Sequence, residues 1–266
     1  MPAGWHKYRI DEIGNVQSGR QRSPSAKGRM RKYLRVANVL DGFIDTSNIL
    51  EMPFTDKEYE RFLLKEGDIL LNEGQSLELV GRSAIYKGKP ENCCFQNTLI
   101  RFSPGELVHG RYAQHLFRFC LITGRFAAIA SRTTSIAHLG VERFSSMVVP
   151  VPPLAEQEEI SRVAEKWDRA IALTERLIAA KQERRTWLMQ QLMTGRRRLP
   201  GFGGDWKEVE IGNLFREVNR PVEWDDDELY LLISVRRRSG GLFHRESLFG
   251  RQILTKNLKI ARAGDF

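Results

Sequence analysis

The chain has 266 residues with ordinary apolar and charged fractions, so it is long enough for one large domain or two smaller ones with a real core. Lysine and arginine outnumber aspartate and glutamate by 42 to 33, which favours a polyanionic partner, although a basic protein without such a partner has the same charge. No run of about 18 apolar residues predicts a transmembrane helix, and residues 1–14 lack the apolar core of a signal peptide. Three cysteines, two of them adjacent, suit neither a disulfide framework nor a zinc site, so we expect reduced thiols in a cytoplasmic protein.

The first 153 residues are typical of a mixed α/β domain, because short apolar runs bounded by Gly and polar residues alternate with helical patterns. We predict strands at Tyr33–Val39, Asp68–Leu71, Ser83–Tyr86, Leu99–Phe102 and Met147–Val151, and helices at about Arg111–Ile122 and Arg125–Ala130. The proline-rich segment VPVPP at residues 149–153 ends this domain.

A single long helix is predicted next. Residues Ala155–Met193 include neither Gly nor Pro and are rich in Ala, Glu, Gln, Arg and Leu, which are good helix formers. Glutamates lie in the first turns of the predicted helix and basic residues lie toward its end, an arrangement that the helix dipole stabilises. Thr194-Gly195 ends the helical pattern. An unbroken helix of this length spans roughly 55 to 60 Å.

Apolar residues recur along this helix at three- and four-residue steps and form a stripe. The residues that we expect to form a partner-helix interface are Ile160, Val163, Trp167, Ile171, Leu177 and Ile178. Because a small domain cannot cover so long a stripe, we expect a second long helix, which an antiparallel homodimer would supply. The alternative is that the helix lies on its own domain.

Segments of the first domain recur about 200 residues later in the same order. GWHKYRIDEIGNV (4–16) resembles GDWKEVEIGNLFREV (204–218), KYLRVANVLDGFI (32–44) resembles LYLLISVRRRSGGLF (229–243), and LKEGDI (64–69) resembles IARAGDF (260–266). Three ordered matches indicate an internal repeat whose second copy is cut off early. We therefore divide the chain into a first domain (1–153), a long spacer helix (154–195), and a linker with a partial second domain (196–266).

Residues 149–199, VPVPPLAEQEEISRVAEKWDRAIALTERLIAAKQERRTWLMQQLMTGRRRL, are similar to the central conserved region of the specificity (S) subunits of type I restriction–modification systems. GDILLNEGQSLELVGRSAIYKG (67–88), CCFQNTLIRF (93–102) and ASRTTSIAHLGVERFSSM (130–147) resemble stretches of that family's target-recognition domains. The resemblance implies an α/β (α+β) recognition domain with short mixed strands, followed by a long coiled-coil-type α-helix and an incomplete second copy of the domain.

A full subunit of this family has two target-recognition domains, each reading one half of a bipartite DNA site, and two antiparallel helices that act as a spacer. The resemblance therefore implies double-stranded DNA and methyltransferase (M) subunits as partners, and restriction (R) subunits through the complex. It implies that the chain itself catalyses nothing and holds no cofactor. The second domain has only about 65 residues and no helix, so we expect a subunit truncated within it that reads one half-site.

Two other functions fit the same residues. One is a recognition fragment of a single-chain restriction–methylation enzyme, and the other is an assembly subunit that no longer reads DNA. Catalytic motifs are missing, since the chain has neither a Gly-x-x-x-x-Gly-Lys-Ser/Thr phosphate loop nor an Asn/Asp-Pro-Pro-Tyr/Phe methyltransferase motif. The five histidines show no zinc spacing, so we predict no catalytic residue and no metal.

Sequence-specific DNA binding needs cations for phosphates and polar side chains for base edges, presented on loops. Three loops qualify, at residues 18–32, 72–82 and 130–139. The predicted DNA-binding residues are Arg20, Arg22, Lys27, Arg29, Arg31, Asn72, Gln75, Ser76, Arg82, Arg132, Thr133, Thr134, Ser135 and His138. The alternatives are a solvated basic loop for the first, a hairpin-like connection for the second and a helix cap for the third.

Overall fold

The computed structural model describes residues 2–21, 23, 25–132, 136–238 and 240–265. The chain divides into two compact units, residues 1–185 and residues 186–266. Four of the predicted DNA-binding residues lie outside the described residues, namely Arg22, Thr133, Thr134 and Ser135.

Short strands and a few helices form the first unit. Its strands are β1 (His6–Arg9), β2 (Gly14–Ser18), β3 (Arg29–Leu34), β4 (Leu50–Phe54), β5 (Ile69–Asn72), β6 (Gly74–Gln75), β7 (Ser83–Ile85), β8 (Cys94–Phe95), β9 (Leu99–Pro104), β10 (Ser131–Arg132), β11 (Ala137–His138) and β12 (Val148–Val151). Its helices are α1 (Ile10–Ile13), α2 (Asp56–Phe62), α3 (Gly110–Ile122), α4 (Arg125–Ile129), α5 (Val141–Ser145) and α6 (Leu154–Met193), the last of which continues into the second unit.

The central sheet of the first unit has the antiparallel order β2–β9–β5–β7. Strand β3 lies between β4 and β8 in a second sheet, and β1 pairs with β12, which joins the beginning of the domain to its end. Strands β10, β11 and β6 form a third group, which we call the edge sheet. The prediction of a mixed α/β fold with a long helix is therefore confirmed.

The central sheet separates two parts of the hydrophobic core, because successive side chains of a strand point to opposite faces. Ile69 and Leu71 of β5 pack on one side with α3, whereas Leu70 packs on the other side with β3 and β4. On the α3 side, the ring of Phe117 packs edge to face against Phe102, with ring centres 5.1 Å apart. This double-sided core makes β5 a rigid support for the residues at both of its ends.

The strand predicted at Tyr33–Val39 is wrong from Arg35 onward. Strand β3 ends at Leu34, and a 3-10 turn follows at Val36–Asn38. The Asn38 side chain stabilises the turn, since its oxygen accepts from the Arg35 N–H at 3.1 Å and its amide donates to the Asp45 carbonyl at 3.0 Å. Apolar patterning does not detect this side-chain bonding, which competes with the strand.

Helix α6 has 40 residues and confirms the predicted helix to within one residue. At 1.5 Å per residue it is about 60 Å long. Gln157 and Ser161 are its buried residues, and residues 169–187 are exposed without interruption in this structure. The helix is therefore anchored to the recognition domain only through its first four turns.

Ile160 does not belong to the partner-helix stripe as predicted. Its side chain is partly buried and packs against the hydrophobic core of its own domain. The other five predicted stripe residues, Val163, Trp167, Ile171, Leu177 and Ile178, are each more than half exposed. The apolar residues at three- and four-residue steps have two different environments. Ile160 contacts the domain, whereas the later residues lie on the exposed face of the helix.

The second unit contains short paired strands and little interior. Its elements after α6 are α7 (Ile211–Leu214), β13 (Leu229–Tyr230), β14 (Ile233–Val235), β15 (Leu242–His244) and β16 (Leu248–Phe249). Strand β13 pairs with β16, and β14 pairs with β15. Ile211 begins a four-residue helix, as does its predicted repeat counterpart Ile10. Among the described residues of this unit only Gly250 is buried, so they do not form a core of their own.

The three cysteines are free and buried. Burial raises the pKa of Cys93 and Cys94 to about 12 and that of Cys120 to about 11. Because the thiolate is the reactive form, we expect none of these thiols in the folded protein to react within minutes with a disulfide reagent at pH 8. All three should react once the protein is unfolded in denaturant, and fast reaction of any native thiol would contradict their burial.

Candidate nucleic-acid interface

Two of the three predicted loops lie side by side in the edge sheet. Gln75 of β6 is opposite Ala137 of β11, and Ala137 is opposite Arg132 of β10. Residues directly opposite one another across antiparallel strands point to the same face, so Gln75 and Arg132 flank Ala137 in one row, roughly 10 Å apart. His138 lies in the neighbouring row, between Gly74 and Ser131, and therefore points to the opposite face of the edge sheet. Segments about 60 residues apart in sequence thus form one small sheet with polar side chains on both faces.

Glu73 orients the imidazole of His138. The Glu73 carboxylate oxygen Oε2 lies 3.0 Å from Nδ1 of His138, and the His138 side chain is 40% exposed. A carboxylate accepts a hydrogen bond, so Nδ1 carries the proton. In the neutral ring, Nε2 then remains an acceptor. This arrangement presents an acceptor suited to an amino group such as those at base edges.

Arg143 of α5 donates hydrogen bonds to the edge sheet. Its Nη2 atom donates to the Ser131 hydroxyl and to the His138 carbonyl, each at 2.9 Å, and its Nε donates to the Leu139 carbonyl at 3.1 Å. One side chain therefore connects β10 to β11 and both to α5. Neither Glu73 nor Arg143 was among the predicted residues, and no spacing in the sequence signals the contacts they make.

The turn at residues 96–98 joins the edge sheet to the basic loop. The Glu73 N–H donates to the Thr98 carbonyl at 3.0 Å, and the Asn97 N–H donates to the Arg20 carbonyl at 3.0 Å. The Thr98 hydroxyl accepts from the Val36 N–H at 3.2 Å. The basic loop and the second loop therefore both contact this half-buried turn, and the loop at 130–139 joins them through Glu73, whose carbonyl accepts from the Leu139 N–H at 2.8 Å. The turn has the polar sequence QNT between the apolar runs CCF and LIRF, and this contrast is the signal in the sequence that marks it.

Arg20 is not a free phosphate contact, which corrects its predicted role. Its side chain is buried, its Nε donates to the Glu58 carboxylate at 2.8 Å, and its guanidinium lies 5.1 Å from the centre of the Phe54 ring. A buried cation with a partner and an aromatic neighbour stabilises the fold rather than a ligand. The basic pattern of residues 18–32 thus contains one structural arginine.

The other described cations of this loop have different environments. Lys27 and Arg29 are exposed, so both are available to an anionic partner. Arg31 is half-buried, and its guanidinium lies 4.2 Å from the centre of the Tyr59 ring. A stacked arginine of this kind keeps several N–H donors free at the edge of its plane.

Asn72 and Arg82 are the first and last residues of the second loop, and both bind the Val39 carbonyl. Asn72 is fully buried, and its amide donates to the Val39 carbonyl at 3.3 Å, which corrects its predicted role as a DNA contact. The Arg82 Nε donates to the same carbonyl at 3.1 Å, although this side chain is only half-buried. Of the residues predicted in this loop, Gln75 and Ser76 therefore remain as partly exposed candidates.

Electrostatics around the edge sheet are mixed. Hydrogen bonds from its own backbone N–H and from Ser76, with the charge of Arg132 as a smaller cause, hold the pKa of Glu78 below its ordinary value. Arg132 itself is exposed. A carboxylate beside this arginine disfavours indiscriminate binding of phosphates and favours contacts that also satisfy hydrogen bonds.

The edge sheet and a separate cleft lie at opposite ends of β5. The edge sheet and Glu73 follow its last residue, whereas Gly67, just before its first residue, lines a cleft of about 930 Å³ together with residues of α3 and α6. At about 3.3 Å per residue, the seven residues from Gly67 to Gly74 separate the two surfaces by roughly 20 Å. The polar edge sheet is thus remote from the base of the long helix.

The Arg20–Glu58 pair makes a pH prediction. The pKa of Glu58 lies below its ordinary value of 4.5, first because of the hydrogen bond from Arg20 and then because of that from the Thr55 backbone. A lowered folded pKa stabilises the fold above the unfolded pKa, and this contribution disappears as pH falls through the folded value. Glu58→Gln preserves the helix cap with Thr55 but carries no titratable charge. We therefore expect the free energy of unfolding of this variant to decrease less than that of the parent as pH falls below 4.5.

Urea unfolding at a series of pH values measures this effect. The variant should be less stable than the parent at pH 7 and approach it as pH falls toward about 3. Parallel curves for the two proteins would show that the Glu58 charge contributes nothing.

Among the described residues, no group of three or more His, Cys, Asp or Glu side chains is arranged to hold a metal ion. The described part of the chain also has no helix with the length and apolarity that crossing a membrane requires.

Comparison with known proteins identifies the family of this chain. The family model described as the type I restriction modification DNA specificity domain matches residues 2–181. The putative type I restriction enzyme MjaX specificity subunit of Methanocaldococcus jannaschii is 25% identical over 225 residues, which cover 80% of this chain and 53% of that protein. The type I restriction enzyme EcoKI specificity subunit of Escherichia coli K12 is 26% identical over 156 residues, or 58% and 34% of the two chains.

A solved structure concerned with complex assembly and conformational transition of the type I R-M system contains a chain of similar fold. Its TM-score is 0.53 at 18% identity, and the match covers 71% of this chain and 45% of the other. The present chain spans about half the length, or less, of the relatives it matches. Because the family match covers well over half of the sequence, the chain belongs to the type I restriction–modification DNA specificity family.

Proposed function

We propose that the chain is a non-catalytic recognition subunit that reads one half of a bipartite site in double-stranded DNA and docks methyltransferase subunits through α6. Restriction subunits join through the resulting complex. The observation that carries the proposal is the edge sheet, which joins two sequence-remote polar loops in one small sheet beside the turn at residues 96–98. The specificity-subunit names of the relatives support the same function.

The edge sheet offers the chemistry that base reading requires. Arg132 supplies several N–H donors in a plane, a geometry that suits the two acceptors of guanine in the major groove. His138 offers an acceptor at Nε2, which suits the amino group of cytosine or adenine. Lys27 and Arg29 are exposed on the neighbouring loop, where they are free to contact phosphates. Donor, acceptor and cation therefore occur on connected segments.

Helix α6 suits a role in assembly because its apolar stripe and its docked face point in different directions. At 100° per residue, the stripe centred near Val163, Trp167 and Ile178 lies roughly 110° from the direction of Gln157 and Ser161. Docking on the recognition domain thus leaves the stripe free for another helix. We propose the methyltransferase subunit and the helix of a second copy as its partners.

Sequence selectivity tests this function directly. The chain, purified with its methyltransferase subunit, would be incubated at moderate salt with duplexes that carry randomised segments, and bound DNA would be sequenced. We expect enrichment of one defined half-site, with specific binding at least about 1000-fold tighter than binding to random DNA. Binding without any enriched sequence would reject the reading function and favour a pure assembly role.

Trp167 tests the helix interface. Trp167→Ala removes a large apolar side chain from the centre of the stripe, so we expect helix-mediated assembly to weaken by about 2 kcal/mol, or roughly 30-fold. Trp187→Ala is the matched control, since Trp187 is also about half exposed on α6 but lies roughly 150° around the helix from the centre of the stripe. Analytical ultracentrifugation of the chain, alone and with methyltransferase subunit, measures both. Equal losses for the two variants would argue against a defined stripe interface.

A further inference from the structure

Gln157 anchors the long helix to the recognition domain. Its Oε1 atom accepts from the backbone N–H of His109 at 2.8 Å, and its Nε2 donates to the carbonyls of Leu107 and Pro152, each at 2.9 Å. The residue is fully buried. One side chain thus joins the first turn of α6 to the segment before α3 and to the end of β12.

The chemistry of this contact is specific to an amide. The site requires one acceptor and two donor hydrogens on a side chain of fixed length, which only glutamine provides. Apolar packing alone would let the helix rotate or slide by small amounts, whereas three directional hydrogen bonds to separate backbone segments fix its direction. Gln157 therefore determines an orientation as well as contributing to stability.

Few other contacts constrain the helix. Beyond Ser161, the cleft of about 930 Å³ separates parts of α3 and α6, and two ion pairs cross between these helices. Arg111 lies 3.5 Å from Glu165, and Arg118 lies 2.9 Å from Asp168. Both pairs are at least a third exposed, so each contributes little alone. Ile160 also packs on the core and Trp5 Nε1 donates to the Glu156 carboxylate at 3.1 Å, so Gln157 fixes the direction of α6 as the fully buried, directional part of this contact.

A small change at this anchor is magnified along the helix. From Gln157 to Arg185 the helix extends about 42 Å, so a tilt of about 5° moves Arg185 by roughly 4 Å. That displacement exceeds one base-pair step of about 3.4 Å. Loosening the anchor therefore changes which separation of two half-sites the assembled subunit can span.

We propose that Gln157 is a positioning residue that sets the spacing between the two half-sites recognised by the assembled complex. It does so without touching DNA, because it fixes the angle between the edge sheet and the spacer helix. This inference rests on the proposed function. It adds one particular residue, Gln157, whose hydrogen bonds fix the spacing.

The test separates these two properties. The full chain with its methyltransferase subunit would select DNA from duplexes in which the enriched half-site is paired with a randomised second segment across spacers of varied length. For Gln157→Met we expect the same half-site sequence and a broader spacer distribution, with the preference for the best spacer reduced about tenfold, the usual effect of one wrong base pair. Gln190→Met, at an exposed position of the same helix, is the matched control and should leave the spacer distribution unchanged.

A second variant covers the case in which Gln157→Met does not fold. Gln157→Asn keeps a buried amide but is shorter by one methylene, so it cannot reach all three backbone groups, and we expect it to fold and to broaden the spacer distribution to a lesser degree. An unchanged spacer distribution in whichever of the two variants folds would overturn the inference. If the parent chain enriches no half-site at all, the proposed function fails first, and that outcome is distinct from a fixed spacing in the variants.

Discussion

Replacing both Arg132 and His138 with alanine is expected to lower the preference of the complex for its own half-site by about 100-fold. Each good side-chain contact to a base edge contributes about 1 to 3 kcal/mol of discrimination, so losing two costs about 3 kcal/mol. Binding to random DNA should fall far less, because the cations of the basic loop remain. Fluorescence anisotropy with the enriched and a scrambled duplex, at one fixed salt concentration, measures the ratio.

The matched control removes the same residue types elsewhere on the surface. His6 of β1 and Arg61 of α2 are exposed and lie outside the edge sheet, so His6→Ala combined with Arg61→Ala should leave the ratio unchanged. If the double variant of Arg132 and His138 bound both duplexes more weakly by the same factor, so that the ratio kept its parent value, these residues would contact only phosphates.

Gly81→Ala is expected to destabilise the first unit by about 4 kcal/mol. Gly81 has a φ of +83°, a conformation that costs an alanine about 1 to 2 kcal/mol. A Cβ atom at this position would lie 2.3 Å from Cδ2 of Phe126, a fully buried ring, so the core must shift at a further cost of about 1 to 3 kcal/mol. Thermal unfolding should show a midpoint lower by roughly 10 °C.

Gly42→Ala separates the two causes. Gly42 has a similar φ of +78°, but a Cβ atom there meets no atom within 4 Å. We expect this variant to lose only the conformational cost of about 1 to 2 kcal/mol. If the two glycine variants were equally stable, the close packing of the 72–82 loop against Phe126 would be refuted.

The long-range architecture was predictable because it has a strong periodic signal. Helix α6 was expected from Ala155 and begins at Leu154, and α3 was expected from Arg111 and begins at Gly110. Such patterns reflect burial of one helix face over many residues. The end of β3 was not predictable, because it depends on the hydrogen bonds of one side chain, Asn38, to its neighbours.

The location of the candidate site was predictable from the sequence, but the role of each of its residues was not. The loops at residues 72–82 and 130–139 were identified from their polar residues, but their pairing through β6 and β11 depends on contacts between distant segments. Arg20 belongs to a basic run, yet Glu58, 38 positions away, holds it in the interior. Asn72 is of a residue type that can bind base edges, but it lies at the buried end of β5. Residue type alone does not separate such structural polar residues from exposed ones.

The central claim is that DNA lies against the edge sheet, at the end of β5 remote from the base of α6. A photo-crosslinking amino acid in place of Gln75, and in a second protein in place of the exposed cleft residue Lys87, tests it in the complex with methyltransferase subunit and the enriched duplex. We expect strong crosslinks to DNA bases from position 75 and none from position 87. Crosslinks from position 87 together with none from position 75 would contradict the account.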